Sequence, residues 1–319
     1  MSIILATVLM AQHVAIHAAA AAATNTVGHA QAVLLGLLQG VAELFPISSL
    51  GHTVIAPKLL GWNIDQKSDT FLPFVVALHL GTGIALIVYF WSDWVEVITP
   101  MVASIKRGTL GESSEERLGW LVCVGTIPPA IIAVFFEQKV KDFFADPKIA
   151  AVFLIVNGFV MYLGERLRAR ADALIARAEH DTTRTPGVPR PISTLTWTEA
   201  LLVGGAQALA LVPGISRSGV TMVAGLATGL THEAAARFAF LLATPIILAA
   251  GVAEIPSLLS SSGRPVLGDA ILGGVVAGVA AYASVRFLMR YFTSGRLTPF
   301  AYYCWAAGSI AFIGLTLRG

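Results

Sequence analysis

The run FLPFVVALHLGTGIALIVYFW, residues 71–91, contains no Asp, Glu, Lys or Arg. About 20 apolar residues in a helix cross the roughly 30 Å hydrocarbon core of a bilayer, where only helices and closed barrels satisfy their own backbone groups. Five further apolar runs, about 118–136, 149–164, 236–256, 266–290 and 299–317, predict an all-α polytopic membrane protein with about six transmembrane helices. Composition agrees: of 319 residues, 56% are hydrophobic and only 13% charged, about half the charged share of a soluble domain. The net charge of +2, with no basic cluster, gives no reason to expect nucleic acid as a partner.

Cys123 and Cys304 lie in separate apolar runs without metal-ligand spacing, and both read as small buried core residues. Residues 1–30 form an apolar extension. Its start, MSIILATVLM, lacks the basic residues of a signal peptide. A cleaved signal, a surface segment and an extra helix stay open, the last being favoured. Arginines crowd the polar link 165–196, and further basic residues lie in 92–117 and 291–298. Counting them as cytoplasmic puts residues 24–70 and the C-terminus outside, although Lys139, Lys141, Lys148 and Arg264 oppose that bias.

The link divides the chain into parts 31–164 and 197–319. QGVAELFPISSLGHT, from Gln39, aligns without a gap with QALALVPGISRSGVT, from Gln207. A phenylalanine-rich run follows each, FLPFVVAL and RFAFLLAT, and each part then holds three candidate spans, an odd number. This predicts an inverted-topology repeat, whose sites lie near the membrane midplane at broken helices. Pro46 and Pro213 break the two segments, since proline lacks the amide proton and clashes with the preceding turn. Ser48 and Ser216 are suited to cap a second short helix. Both segments therefore read as re-entrant helical hairpins, tolerated at that depth only when buried in protein or lining a wet cavity.

These segments also carry the polar chemistry. Gln39 and Glu43 share a helical face. A carboxylate inside a membrane costs about 3 kcal/mol or more, so Glu43 needs a partner or water, as metal ligand, general base or buried structural group. Arg217, between Ser216 and Ser218 and one turn before Thr221, sits where a helix N-terminus offers a seat for phosphate. An Arg217–Glu43 ion pair joining the two parts is the bland alternative, and both can hold in an empty site. His52 lies three residues after Ser49, which predicts a shared face and a base beside a nucleophile or a water. His79 is placed to edge the cavity. Arg237 is expected to pair with Glu233, Glu199 and Glu233 to serve helix starts, and His29 to lack a partner.

QGVAELFPISSLGH and LVPGISRSGVT resemble the two signature segments of the undecaprenyl-pyrophosphate phosphatase family of the bacitracin-resistance type, a similarity running over about 31–319. The resemblance implies removal of the terminal phosphate from a long-chain polyprenyl pyrophosphate at the outer side of the bacterial inner membrane. It also implies a divalent cation, Mg2+ or Ca2+, and a homodimer. Carried over, Glu43 is essential and shares a metal or pyrophosphate region with Gln39. Ser49 is the nucleophile unless water attacks, His52 its base or acid, and Arg217 the phosphate clamp. Ser48, Gly214, Ser216, Ser218 and Thr221 complete the substrate contacts. Departures from the pattern are the amide at Gln39, Leu50 in place of a threonine, and His79 where the family commonly has a Gln-Leu-Gly run.

A polyprenyl-phosphate transporter built on the same repeat is the rival from another class; it has no use for a Ser49–His52–Glu43 grouping. The inverted repeat itself has a direct test: single cysteines at positions 30 and 196 should be labelled from opposite faces of the membrane. Labelling from one face would remove the inversion.

Overall fold

The structure is a computed structural model that describes residues 27–66, 68, 70–108, 110–143, 146–178, 190–261 and 263–318. Most of the N-terminal extension, His13, His17, His180 and the centre of the polar link lie outside them. Among the described residues there are eleven α-helices and no strands. In order they are α1 (His29–Ala42), α2 (Ser49–Leu59), α3 (Phe71–Tyr89), α4 (Trp91–Arg107), α5 (Ser114–Phe143), α6 (Pro147–Ala178), α7 (Trp197–Ala206), α8 (Arg217–Ala227), α9 (His232–Leu259), α10 (Leu267–Tyr291) and α11 (Thr298–Arg318).

Among the described residues five stretches are long and apolar enough to cross a membrane: α3, residues 147–170 of α6, α9, residues 264–291 including α10, and α11. The protein is a multi-pass membrane protein. The remaining expected span, 118–136, lies within α5, part of whose side chains falls outside the described residues. The expected link 92–117 is mostly helical. α4 buries little besides Val97 and Ser104, while Trp91, Val95, Ile98, Val102 and Ile105 stay exposed. An apolar exposed face with Lys106 and Arg107 in the last turn is the pattern of a helix lying at a bilayer surface. Gly108 ends it at φ 72°, a left-handed conformation that favours glycine.

Other expectations need correction. Arg237 pairs across helices with Asp93 at 2.9 Å, because α4 brings that carboxylate to α9. His29 meets Asp269 at 2.7 Å. Cys304 is buried, but Cys123 is exposed, since an apolar helix can turn a small residue outward to lipid as readily as inward. Glu199 does serve a helix start: it forms a reciprocal cap with Thr196 and pairs with Arg190 at 2.8 Å.

The short helices lean on the opposite part of the chain: α1 packs on α10, and α7 on α5. α3 packs on α9 and α10, and α6 on α11. Lipid tails are as apolar as leucine, so helices in a membrane associate through close packing at small residues. A Cβ added at Gly40 would collide with the Ala277 carbonyl and one at Gly81 with the Gly274 carbonyl. Gly81→Leu should therefore destabilise the detergent-solubilised protein by about 1–3 kcal/mol through overpacking. Gly268→Leu, on the partner helix α10 but facing open space, should leave the thermal unfolding midpoint unchanged. Equal midpoints for both variants would contradict this packing.

Candidate active site

Both polar segments are broken helices. α1 stops at Ala42, and residues 43–47 turn before α2 begins at Ser49. α7 stops at Ala206 and passes through a 3-10 turn, Gln207–Leu211, before α8 begins at Arg217. Pro46 and Pro213 lie in these breaks. Ser48 Oγ accepts from the Gly51 amide at 3.3 Å, and Ser216 Oγ from the Gly219 amide at 3.2 Å, so the expected caps form. α2 and α8 have 11 residues each, and they open on Ser49 and Arg217 at the same helical position. Two similar breaks thus deliver a hydroxyl and a guanidinium.

Ser48 adopts φ 68°, the single positive φ of a non-glycine among the described residues. Such a conformation costs roughly 1–3 kcal/mol and persists only where its surroundings impose it. The second break has Gly214 at φ 98°, and a Cβ there would also strike the backbone of α6. Gly214 thus serves close packing.

Asn157, fully buried in the middle of α6, holds the breaks together. Its Nδ2 donates to the Pro46 carbonyl at 3.0 Å, and its Oδ1 accepts from the Ser216 amide at 3.0 Å. One side chain thereby satisfies a carbonyl from the first break and an amide from the second. Sequence reasoning missed it; the signal was a lone asparagine in the run VFLIVNGFV.

Glu43, 8% exposed, is the centre of the site. Its Oε1 accepts from Arg217 Nη2. Its Oε2 accepts from Ser49 Oγ and, at 3.0 Å, from Gln39 Nε2. His79 Nε2 lies 3.3 Å from the same Oε2. His79 Nδ1 donates to the Val75 carbonyl at 2.8 Å, which leaves Nε2 as the ring atom that can take up and return a proton. A cavity of about 200 Å3 is lined by Glu43, Ser48, Ser49, His79, Ser216 and Arg217, with Gln207 and apolar residues completing the wall. A larger cleft of about 610 Å3 between α3 and α10 has an almost wholly apolar lining and no group suited to chemistry.

The structure brings together Gln39, Glu43, Ser49, His79 and Arg217. His52 is not among them. Its Nδ1 donates to the Ser48 carbonyl at 2.7 Å, its Nε2 accepts from the Tyr303 hydroxyl at 2.9 Å, and its ring stacks on that of Tyr303. The shared-face spacing with Ser49 does not produce a contact, because the imidazole folds back onto the carbonyl of the capping residue. Ser218 and Thr221 are also turned to the protein: Ser218 Oγ donates to the Phe45 carbonyl at 3.2 Å and Thr221 Oγ1 to the Arg217 carbonyl at 2.7 Å.

Among the described residues no three His, Cys, Asp or Glu side chains converge as a metal site. Beside the Glu43 carboxylate, however, Gln39 Oε1 is buried without a hydrogen-bond partner. One carboxylate and one free carbonyl oxygen suit a hard cation that takes its other ligands from water and a bound phosphate. They do not make a closed protein cage.

Residues 32–310 match the family described as bacitracin resistance protein BacA. A protein of Burkholderia thailandensis named undecaprenyl-diphosphatase 2 is 48% identical over 278 residues, covering 86% of this chain and 93% of that protein. The undecaprenyl-diphosphatase of Mycolicibacterium paratuberculosis is 44% identical over 305 residues, 92% of this chain and all of that protein. Undecaprenyl-diphosphatase 2 of Frankia alni is 42% identical over 329 aligned residues, 88% of this chain and 96% of that protein.

Asn157→Leu should show what joins the breaks. It leaves the Pro46 carbonyl and the Ser216 amide unpaired, each costing about 1–3 kcal/mol when buried. The expected result is a clear fall in the thermal unfolding midpoint, with Asn157→Asp intermediate because its oxygens still accept from Ser216. An unchanged midpoint in the leucine variant would show that the breaks are held elsewhere.

Proposed function

The chain belongs to the bacitracin resistance protein BacA family, and on that premise we propose that it is a membrane phosphatase hydrolysing undecaprenyl pyrophosphate to undecaprenyl phosphate and inorganic phosphate. The reaction regenerates the lipid carrier for cell-wall synthesis, and it accounts for the bacitracin resistance in the family's name. The observation that carries this reading is the convergence of Ser49, Glu43, His79 and Arg217 on one cavity. The proposal includes a homodimer in the bacterial inner membrane, with the site opening to the outer side and two re-entrant hairpins related by an inverted repeat. Equal lengths of α2 and α8, and the exchange of α1 onto α10 and α7 onto α5, support the repeat.

In the resting site Arg217 neutralises Glu43. A pyrophosphate carries two or more negative charges and competes for the guanidinium, whose planar fork matches phosphoryl oxygens. The free amides at the starts of α2 and α8 add donors and the positive ends of two helix dipoles. Arg217 moves its hydrogen bonds to the terminal phosphate, and Glu43 is released to act on Ser49. Ser49 Oγ attacks the terminal phosphorus as its proton passes to the carboxylate or, beside it, to His79 Nε2. The Oγ–P bond forms, the bridging P–O bond breaks, and the lipid monophosphate leaves. Water then attacks the phosphoserine, giving up a proton to the same groups and releasing inorganic phosphate with the serine restored. A divalent cation, held by Glu43 and Gln39 Oε1 together with the phosphate, would neutralise charge developing on the phosphoryl oxygens. His52 acts through Ser48, fixing the carbonyl of the strained capping residue.

Phosphate release from a long-chain prenyl pyrophosphate in detergent tests the assignment. Arg217→Ala should abolish turnover, and Ser49→Ala and His79→Asn should each lose roughly 100-fold or more. A Ser49→Ala variant within about tenfold of the parent, about 1.4 kcal/mol, would make water the nucleophile. A protein that moves the lipid between leaflets without releasing phosphate would be a transporter.

A further inference from the structure

Gln207 opens the 3-10 turn between α7 and α8 and is 3% exposed. Neither its Oε1 nor its Nε2 has a hydrogen-bond partner. It lines the same cavity as Glu43, Ser49, His79 and Arg217. The other polar groups around that cavity are engaged: Glu43 by four neighbours, Ser49 by Glu43, Arg217 by Glu43, and Ser216 by Ser218 and the Gly219 amide.

The sequence explains why this amide is free. Gln207 aligns with Gln39, which spends its Nε2 on Glu43 four residues later. Four residues after Gln207 the chain has Leu211, so the second segment has no carboxylate to occupy its glutamine. A buried amide with both ends open costs free energy in the empty protein, and buried polar groups are otherwise nearly always paired. A glutamine kept for structure would have a protein partner. One facing a cavity with an arginine, two helix N-termini and a serine hydroxyl is instead complementary to a ligand that both accepts and donates.

We propose that Gln207 is a substrate contact: its Nε2–H donates to a phosphoryl oxygen of the diphosphate held by Arg217, and its Oε1 accepts from a water or hydroxyl at that same phosphate. The inference rests on the phosphatase reading and deepens it. The repeat then supplies two glutamines with different tasks, Gln39 on the catalytic carboxylate and Gln207 on the substrate.

Two variants of the full-length protein in detergent test this, with steady-state phosphate release from a long-chain prenyl pyrophosphate and thermal unfolding with and without inorganic pyrophosphate. Gln207→Leu removes the donor at similar size. It should lower kcat/KM by 10- to 100-fold, leave the unliganded midpoint equal or higher, and shrink the rise produced by pyrophosphate. Gln207→Glu, nearly isosteric, should be worse than the leucine variant because its carboxylate repels the phosphate. A leucine variant whose kcat/KM stays within twofold of the parent, with the pyrophosphate-induced rise intact, overturns the contact. So does a loss of activity matched by a lower unliganded midpoint in both variants, which would mark a structural glutamine. A parent protein that releases no phosphate overturns the phosphatase reading instead, and in that case the pyrophosphate-induced rise in parent and leucine variant still decides whether Gln207 touches phosphate.

Discussion

The ion pair between Glu43 and Arg217 governs the rest of the molecule. Neither charge is tolerable alone at a buried position in a membrane protein, and removing one partner of such a pair typically costs about 3–5 kcal/mol. The partners stand 174 residues apart, so neither part of the chain can bury its own charge. The helix breaks must therefore meet. Their meeting also places Ser49, at the start of α2, and Arg217, at the start of α8, on one cavity. Fold and site share one electrostatic requirement, and a multiply charged phosphate can take over the role that Glu43 fills towards Arg217.

Irregular backbone in a membrane has to find partners without water, and the two breaks find them in each other and in α6. Asn157 bridges them, and Ser218 Oγ donates to the Phe45 carbonyl of the opposite break. Of the two hydroxyls expected at the substrate, Ser218 serves this closure, while Thr221 bonds back to the Arg217 carbonyl within α8. Hydroxyls in a signature motif of a membrane protein can be required by the backbone before any ligand is considered. This separates Ser49, whose hydroxyl meets a carboxylate, from the hydroxyls that meet carbonyls.

Much of the fold was legible because membrane spans announce themselves through long apolar runs, and the two breaks through proline followed by a capping serine. α4 was not legible as a helix: its apolar positions alternate with charges, and the charge count read as a connection. The site was legible in part. Gln39, Glu43 and Ser49 come together through helix spacing and a helix start, which are local, and Arg217 joins them through the ion pair that the sequence offered as an alternative. His79 edges the cavity as expected, but His52 does not meet Ser49, because its place depends on a contact far along the chain. His52 faces Tyr303, 251 residues away, while His79 reaches Glu43 from a different helix. Spacing along α2 could assign His52 a direction but could not show that a carbonyl and a phenol would claim both ring nitrogens.

The two aligned glutamines, Gln39 and Gln207, sit in different surroundings. Both begin a stretch that ends in a serine-capped helix, and the difference between them lies four residues downstream, Glu43 in one and Leu211 in the other. With a carboxylate present, Gln39 and Ser49 both donate to one oxygen of Glu43, and its other oxygen is left for Arg217 of the second segment. Without one, the second segment keeps its positive groups and its amide unneutralised from within. Its charge is balanced only by the other segment or by an incoming anion. That asymmetry gives the cavity an acidic wall and a basic wall, and the reaction proposed above, an in-line displacement at phosphorus, calls for a proton acceptor and an anion seat on opposed surfaces.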